Sequence, residues 1–174
     1  MSLSVPIQNP MAIFISQCVN KVDKKGRVSV PASFRAALGA NASGIVLFKS
    51  LHHEALDGCA PEHLEILSQS LEKLDLSPET YELIETTIFG GSVIVPLDGE
   101  GRIVLPQPLA ASVGISDEVT FIGRRKTFQV WEPSRAVAYE ANARAAARDA
   151  QISLSKIIAQ ATALKGVAGV GGPS

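Results

Sequence analysis

Cysteine occurs only twice, at Cys18 and Cys59, too few for a disulfide framework; two reduced thiols in a cytosol are the simpler reading. Excess positive charge is also lacking. The formal net charge is −1, which excludes a protein that holds nucleic acid by bulk electrostatics. Any grip on a polyanion must come from a local cluster, or from many weak sites acting together. No apolar run approaches the roughly 18–20 residues of a membrane-spanning helix. The opening "MSLSVPIQNP" has neither a basic stretch nor a long apolar one, so a secretory signal is not expected. These absences predict a soluble intracellular protein. What is present is apolar material: hydrophobic residues make up 46% and charged residues 19% of the 174 positions. A sizeable core is within reach, as one compact domain or two small intertwined ones.

The chain repeats itself. "VDKKGRVSVPASFRAALG" (22–39) returns 75 residues later as "LDGEGRIVLPQPLAASVG" (97–114). At the same offset Phe14 aligns with Phe89, Val19 with Ile94, 45–47 with 120–122, and "HEALD" with "FQVWE". Self-similarity of this kind reports duplicated supersecondary units; two copies are too few for a solenoid and imply a pseudo-symmetric pair with one core. In each copy an apolar run leads into an Asp-x-x-Gly corner, a turn pattern in which the carboxylate accepts backbone N–H bonds. A second β-rich run follows, giving a hairpin-like unit. Pro31 or Pro106 then opens a short helix that Gly39 or Gly114 ends. A last pair of strands closes each copy, in the second with "RRK" (124–126) at its tip.

Between the copies, Leu64, Leu67, Leu71 and Leu74 draw one apolar stripe on a helix, and Ser77 before Pro78 and Glu79 caps another. After Pro133 an alanine-rich stretch without Gly or Pro is expected to be largely helical. The resulting division is 14–60 and 89–135 for the two halves, 61–88 for a helical connector and 136–165 for a C-terminal helical extension. The stretches 1–10 and 166–174 are expected to be loose. The apolar residues Ile152, Leu154, Ile157 and Ile158 mark the extension as a candidate for subunit contact.

The corners carry the candidate chemistry. Lys21, Lys24, Lys25 and Arg27 place four cations within seven residues, with Asp23 the one acid among them. Asp23 can fix the loop and orient Arg27, whose guanidinium fork suits phosphate or guanine O6 and N7. Arg35, on the short helix, is placed to add to that face. Copy two keeps Asp98 and Arg102 but has Gly99 and Glu100 in place of the lysines, so its phosphate attraction is weaker. A purely structural reading stands beside this one, in which the arginine only bridges back to the aspartate.

With these residues in view, the chain resembles the MraZ family of bacterial transcriptional regulators, relatives of the AbrB-type DNA-binding domains. The resemblance rests on D-x-x-x-R at Asp23–Arg27 and again at Asp98–Arg102, each followed by a proline, and on "FQVWEPSR". It implies an α+β fold: a pseudo-symmetric, AbrB-like swapped-hairpin β-barrel made from two tandem halves, with peripheral helices and a C-terminal helix. It further implies a ring-shaped homo-oligomer that binds double-stranded DNA at short direct repeats, in the promoter of the operon for cell division and cell-wall synthesis. By that carry-over the contacts fall on Asp23, Arg27, Asp98 and Arg102, in a cytoplasmic, nucleoid-associated protein without cofactor or membrane partner.

Other classes are weaker. His52, His53, Cys59 and His63 lack the paired dyads of a structural zinc site. No nucleophile elbow, P-loop or His-Glu-x-x-His occurs, and Asp23 and Asp98 each lie beside an arginine that favours a static anion, so no enzyme is expected. A protein-interaction module that ignores DNA fits the near-neutral charge, and salt dependence separates it from a DNA binder.

Overall fold

The computed structural model describes residues 13–167. The stretch 1–10 and most of 166–174, expected to be loose, fall outside that range. One compact unit extends to Ala136 and a second begins at Val137. In chain order the first unit contains β1 (Gln17–Lys21), β2 (Arg27–Ser29), α1 (Ala32–Leu38), β3 (Gly44–Lys49) and β4 (Ala55–Cys59). After these come α2 (Pro61–Leu71), α3 (Pro78–Ile84), a π-helical turn (Glu85–Phe89), β5 (Val93–Pro96), β6 (Arg102–Val104) and α4 (Gln107–Ser112). It ends with β7 (Glu118–Arg124), β8 (Thr127–Trp131) and the start of α5 (Pro133–Asp149).

The fold is mixed α+β, and its strands are all paired antiparallel. Six strands form one sheet in the order β1-β7-β8-β4-β3-β5, and β2 with β6 form a separate two-stranded ribbon. The strands flanking a corner do not ladder with each other, contrary to the hairpin-like reading of the sequence. β1 of copy one pairs with β7 of copy two, and β5 of copy two pairs with β3 of copy one. A period-two apolar pattern fixes which face a strand buries and leaves its partner open.

The pairings also locate an approximate two-fold relation. Val28 faces Ile103, its own counterpart, in the centre of the ribbon. In the sheet, however, the constant offset fails. Val19 is opposite Thr120 while its counterpart Ile94 is opposite Val46, so Thr120 corresponds to Val46 and not to Ile45. The next strand shifts again: Phe48 faces Asp57 and Ile122 faces Gln129, which makes Asp57 and Gln129 counterparts. "HEALD" therefore does not match "FQVWE"; Phe128 corresponds to the buried Leu56. The reason is local. The β3–β4 connection runs over five residues (50–54), whereas β7 and β8 are joined by Arg125 and Lys126 alone. Asp57 and Gln129 face each other and bond through Gln129 Nε2 at 2.8 Å, and Trp131 Nε1 donates to Gln129 Oε1 at 3.1 Å.

Four phenylalanines, Phe14, Phe34, Phe121 and Phe128, meet in the core with ring centroids 5.0–6.3 Å apart. Val28 and Ile103 turn inward from the ribbon to join the same cluster, so the core fixes which face of the ribbon is left to solvent. Short helices follow the expected punctuation: Pro31 and Pro106 cap α1 and α4, and Gly39 and Gly114 adopt positive φ just past their ends. Leu64, Leu67 and Leu71 lie half-buried on α2, but Leu74 falls beyond the helix and is exposed. Ser77 Oγ accepts from Thr80 N at 3.2 Å at the start of α3. Replacing Ser77 by alanine is expected to cost about 1 kcal/mol in a urea titration, the usual worth of such a cap.

The second unit holds the rest of α5 and then α6 (Leu154–Val167). The alanine-rich stretch is not one helix. It breaks where Gln151 takes positive φ, Ile152 N donates back to Ala147 O, and Ser153 Oγ accepts from Lys156 N to start the next helix. Serine competes with the helical backbone in this way without help from glycine or proline. Ile152, Leu154, Ile157 and Ile158 are all more than half exposed.

Candidate nucleic-acid interface

Each corner is built by its aspartate. In copy one Asp23 Oδ1 accepts from Lys25 N at 2.9 Å and Arg27 N at 2.8 Å, while Oδ2 accepts from Arg27 Nε at 2.6 Å. In copy two Asp98 Oδ1 accepts from Glu100 N at 2.8 Å and Arg102 N at 2.9 Å, and Oδ2 from Arg102 Nε at 2.9 Å. Gly26 and Gly101 close the turns with φ of 78° and 75°, a region that side chains with a Cβ enter at a cost. The two turns are tied crosswise: Gly101 O accepts from Val30 N and Gly26 O from Leu105 N.

These bonds set the carboxylates' protonation. Asp23 is held below the usual carboxylate range first by the Arg27 backbone N–H, with the Arg27 side chain and the Lys25 N–H adding and partial burial opposing. Asp98 is lowered in the same way through Arg102 and Glu100. A lowered carboxylate contributes stability that is complete above its unfolded pKa and lost as pH falls through the folded one. The corners should therefore be unchanged between about pH 5 and 8, and carboxyl carbon NMR titrations of both aspartates should give midpoints below that of a free aspartate.

The ribbon decides where the arginines go. Val28 and Ile103 are buried, so Arg27, Ser29, Arg102 and Val104 share the opposite, outer face. Arg27 is directly opposite Val104, which makes Arg102 its diagonal neighbour, about 7–8 Å away between Cα atoms. The corners sense each other: Arg102 is held more firmly in its charged form, first by its hydrogen bond to Asp98, and the charge of Asp23 contributes. Neither guanidinium is locked inside, with 34% of the Arg27 side chain and 30% of the Arg102 side chain exposed. Ser29 and Val104 belong to this face although the sequence reading passed over them; the alternation in "RVS" and "RIV" is the signal that places them there.

The remaining predicted residues divide. Lys24 and Lys25 are exposed on the first turn beside Arg27, and no ion pair engages them among the described residues. Lys21 stands opposite Glu118 on β1 and shares a shallow groove with Asp117 and Glu132, so acids surround it. Arg35 packs on the second corner: its Nε donates to Val30 O at 3.2 Å, and a Cβ on Gly101 would lie 2.6 Å from its Cδ. Gly101→Ala combines that clash with positive φ and should destabilise by about 1–2 kcal/mol in a denaturant titration, where Gly99→Ala, in open space, should do far less.

Cys59 is buried in β4, its thiol pushed up to about 11 first by burial and then by Asp57, and the His53 ring lies 5.5 Å from that of Trp131. Among the described residues no group of three or more His, Cys, Asp or Glu side chains is placed to hold a metal ion, and no helix is long and apolar enough to cross a membrane.

Fold and site together define a class: a tandem duplication whose copies exchange strands into one sheet and display two aspartate-clamped arginines on a ribbon. Comparison with known proteins gives the family. The family model described as MraZ protein matches residues 88–155. A protein of Rickettsia bellii (strain OSU 85-389), named "Transcriptional regulator MraZ", is 41% identical over 146 residues, covering 83% of this chain and 97% of its own. The protein of that name in Rickettsia felis (strain ATCC VR-1525 / URRWXCal2) is 39% identical over 145 residues, with the same coverage. That of Rickettsia akari (strain Hartford) is 41% identical over 124 residues, covering 71% of this chain and 83% of its own. The chain belongs to the MraZ family, a family of transcriptional regulators and not of enzymes.

Proposed function

We propose that this chain regulates transcription by binding double-stranded DNA through the outer face of the β2–β6 ribbon. The observation that carries the reading is the pair of arginines on that face, each with Nε held by an aspartate. The clamp leaves the Arg27 terminal nitrogens without a hydrogen-bond partner among the described residues. A major groove admits a two-stranded ribbon, and an arginine fork matches guanine O6 and N7. Lys24 and Lys25 take the flanking phosphates, Asp23 and Asp98 position the arginines, and Arg35 braces the second corner.

A net charge of −1 makes a single contact weak and salt-sensitive. Several linked copies gain about 10²–10⁴ in apparent affinity when the DNA repeats match their spacing. The assembly is accordingly a ring-shaped homo-oligomer on short direct repeats, in the promoter of the operon for cell division and cell-wall synthesis, with the protein cytoplasmic and nucleoid-associated. The exposed apolar residues of α6 are the place for subunit contact. Interleaved sheet and ribbon correspond, on this reading, to the swapped-hairpin barrel of AbrB-like domains, with halves at 14–60 and 89–135, a connector at 61–88 and an extension at 136–165.

A titration of the parent protein against the DNA upstream of its own gene and against a scrambled duplex, at about 50 and 200 mM salt, tests this. Tighter binding to the upstream fragment, weakening steeply with salt, is expected. Equal binding to both duplexes removes the sequence-specific reading. No binding to either leaves the protein-interaction module as the better account.

A further inference from the structure

The two corners share a backbone and an aspartate clamp but differ beside the arginine. Two residues after Asp23 stands Lys25, and two residues after Asp98 stands Glu100. Glu100 Oε2 forms an ion pair with Arg102 Nη2 at 2.8 Å while its own side chain stays 72% exposed. With Asp98 on Nε, the Arg102 guanidinium is held by carboxylates on two sides, whereas Arg27 has one. Summed formally, Asp23, Lys24, Lys25 and Arg27 leave two positive charges at the first corner, and Asp98, Glu100 and Arg102 leave one negative charge at the second.

We propose that Glu100 is a specificity-determining residue that acts through Arg102, an internal carboxylate that occupies the guanidinium until a matching base edge displaces it. The inference rests on the DNA-binding reading above. An exposed ion pair contributes little to stability, so the pair is easily opened and does not serve as a brace. Its effect falls instead on ligands. Binding to arbitrary DNA is almost wholly attraction to phosphate, and a corner of net negative charge opposes it. A guanine edge offers Arg102 two directed acceptors in exchange for one, so only a matched site recovers the cost of displacing Glu100. Discrimination arises here by penalising the wrong partner more than the right one. Copy one adds the general attraction of its lysines to its own base contact, and copy two adds the penalty on mismatched sites.

Glu100→Gln removes the charge and nearly preserves the shape. Against a scrambled duplex its affinity should rise about 3–10-fold, with a salt slope steeper by about one. Against the protein's own upstream fragment it should rise less than about twofold, so the preference between the two narrows. The gain should shrink when Glu100→Gln is placed on Arg102→Ala, since the two residues act as a unit. A gain equal on both duplexes, an unchanged preference, or the same gain in the Arg102→Ala background overturns the inference. So does a marked fall in melting temperature for Glu100→Gln, which would make the residue structural. Failure of the parent protein to bind DNA at all is a different result, and counts against the DNA-binding reading itself.

Discussion

Arg27→Ala lowers affinity for the protein's own upstream DNA by about 10–100-fold, the worth of one bidentate base contact, and the loss compounds with each subunit engaged. Two features make it the largest expected effect on binding. The Arg27 side chain is 34% exposed, and among the described residues its only ion pair, with Asp23, uses Nε. Exposed Lys24 and Lys25 stand beside it, so on the proposed DNA-binding reading they would meet phosphate first and the arginine would complete the contact. Arg102→Ala should cost less, about 3–10-fold, because Glu100 and Asp98 already compete for that guanidinium. Fluorescence anisotropy on a labelled duplex measures both. Arg27→Ala bound within twofold of the parent would remove the ribbon face from the argument.

Phe34→Ala should be the most damaging substitution for the fold, destabilising the first unit by about 3–5 kcal/mol in urea. Phe34 is 1% exposed and its ring lies within 5.7 Å of three others, Phe14, Phe121 and Phe128. No small residue can fill that space, and a close-packed core recovers little by relaxing. The counterpart in copy two is Leu109, only half-buried, so Leu109→Ala should cost less than half as much. Equal losses at the two positions would mean that the core is not centred on copy one's helix. Phe34 also precedes Arg35, so loosening α1 should weaken the brace on Gly101 before the sheet itself opens.

Much of this was legible in the residues and some of it was not. The Asp-x-x-Gly-Arg corners announced their own geometry, because an aspartate followed by a glycine three positions on has few ways to satisfy its carboxylate. Proline and glycine marked α1 and α4, and Ser77 marked α3, since caps are local chemistry. The exchange of strands was not visible from apolar patterning: "VIVP" reads the same whether it pairs within its copy or across. The repeat register beyond Gly39 misled because apolar residues stay in phase over several residues even when the chain has lost one. Arg35 was expected beside Arg27 and lies on Gly101, since the crosswise ties between turns bring each helix to the other copy's corner. The engagement of Arg102 by Glu100 depends on which of several rotamers a flexible pair adopts, which composition does not record.

Val28 meeting Ile103 at the ribbon's midpoint has an evolutionary corollary. Were the halves separate identical polypeptides, any substitution would strike both faces of the dyad together, and an acid tolerable on one side would be forced upon the other. Joined end to end, they mutate independently. Lysine can then be kept at one corner while glutamate is accepted at the other, so that, on the proposed DNA-binding reading, a fused pair could become a clasp with one grasping jaw and one discerning jaw.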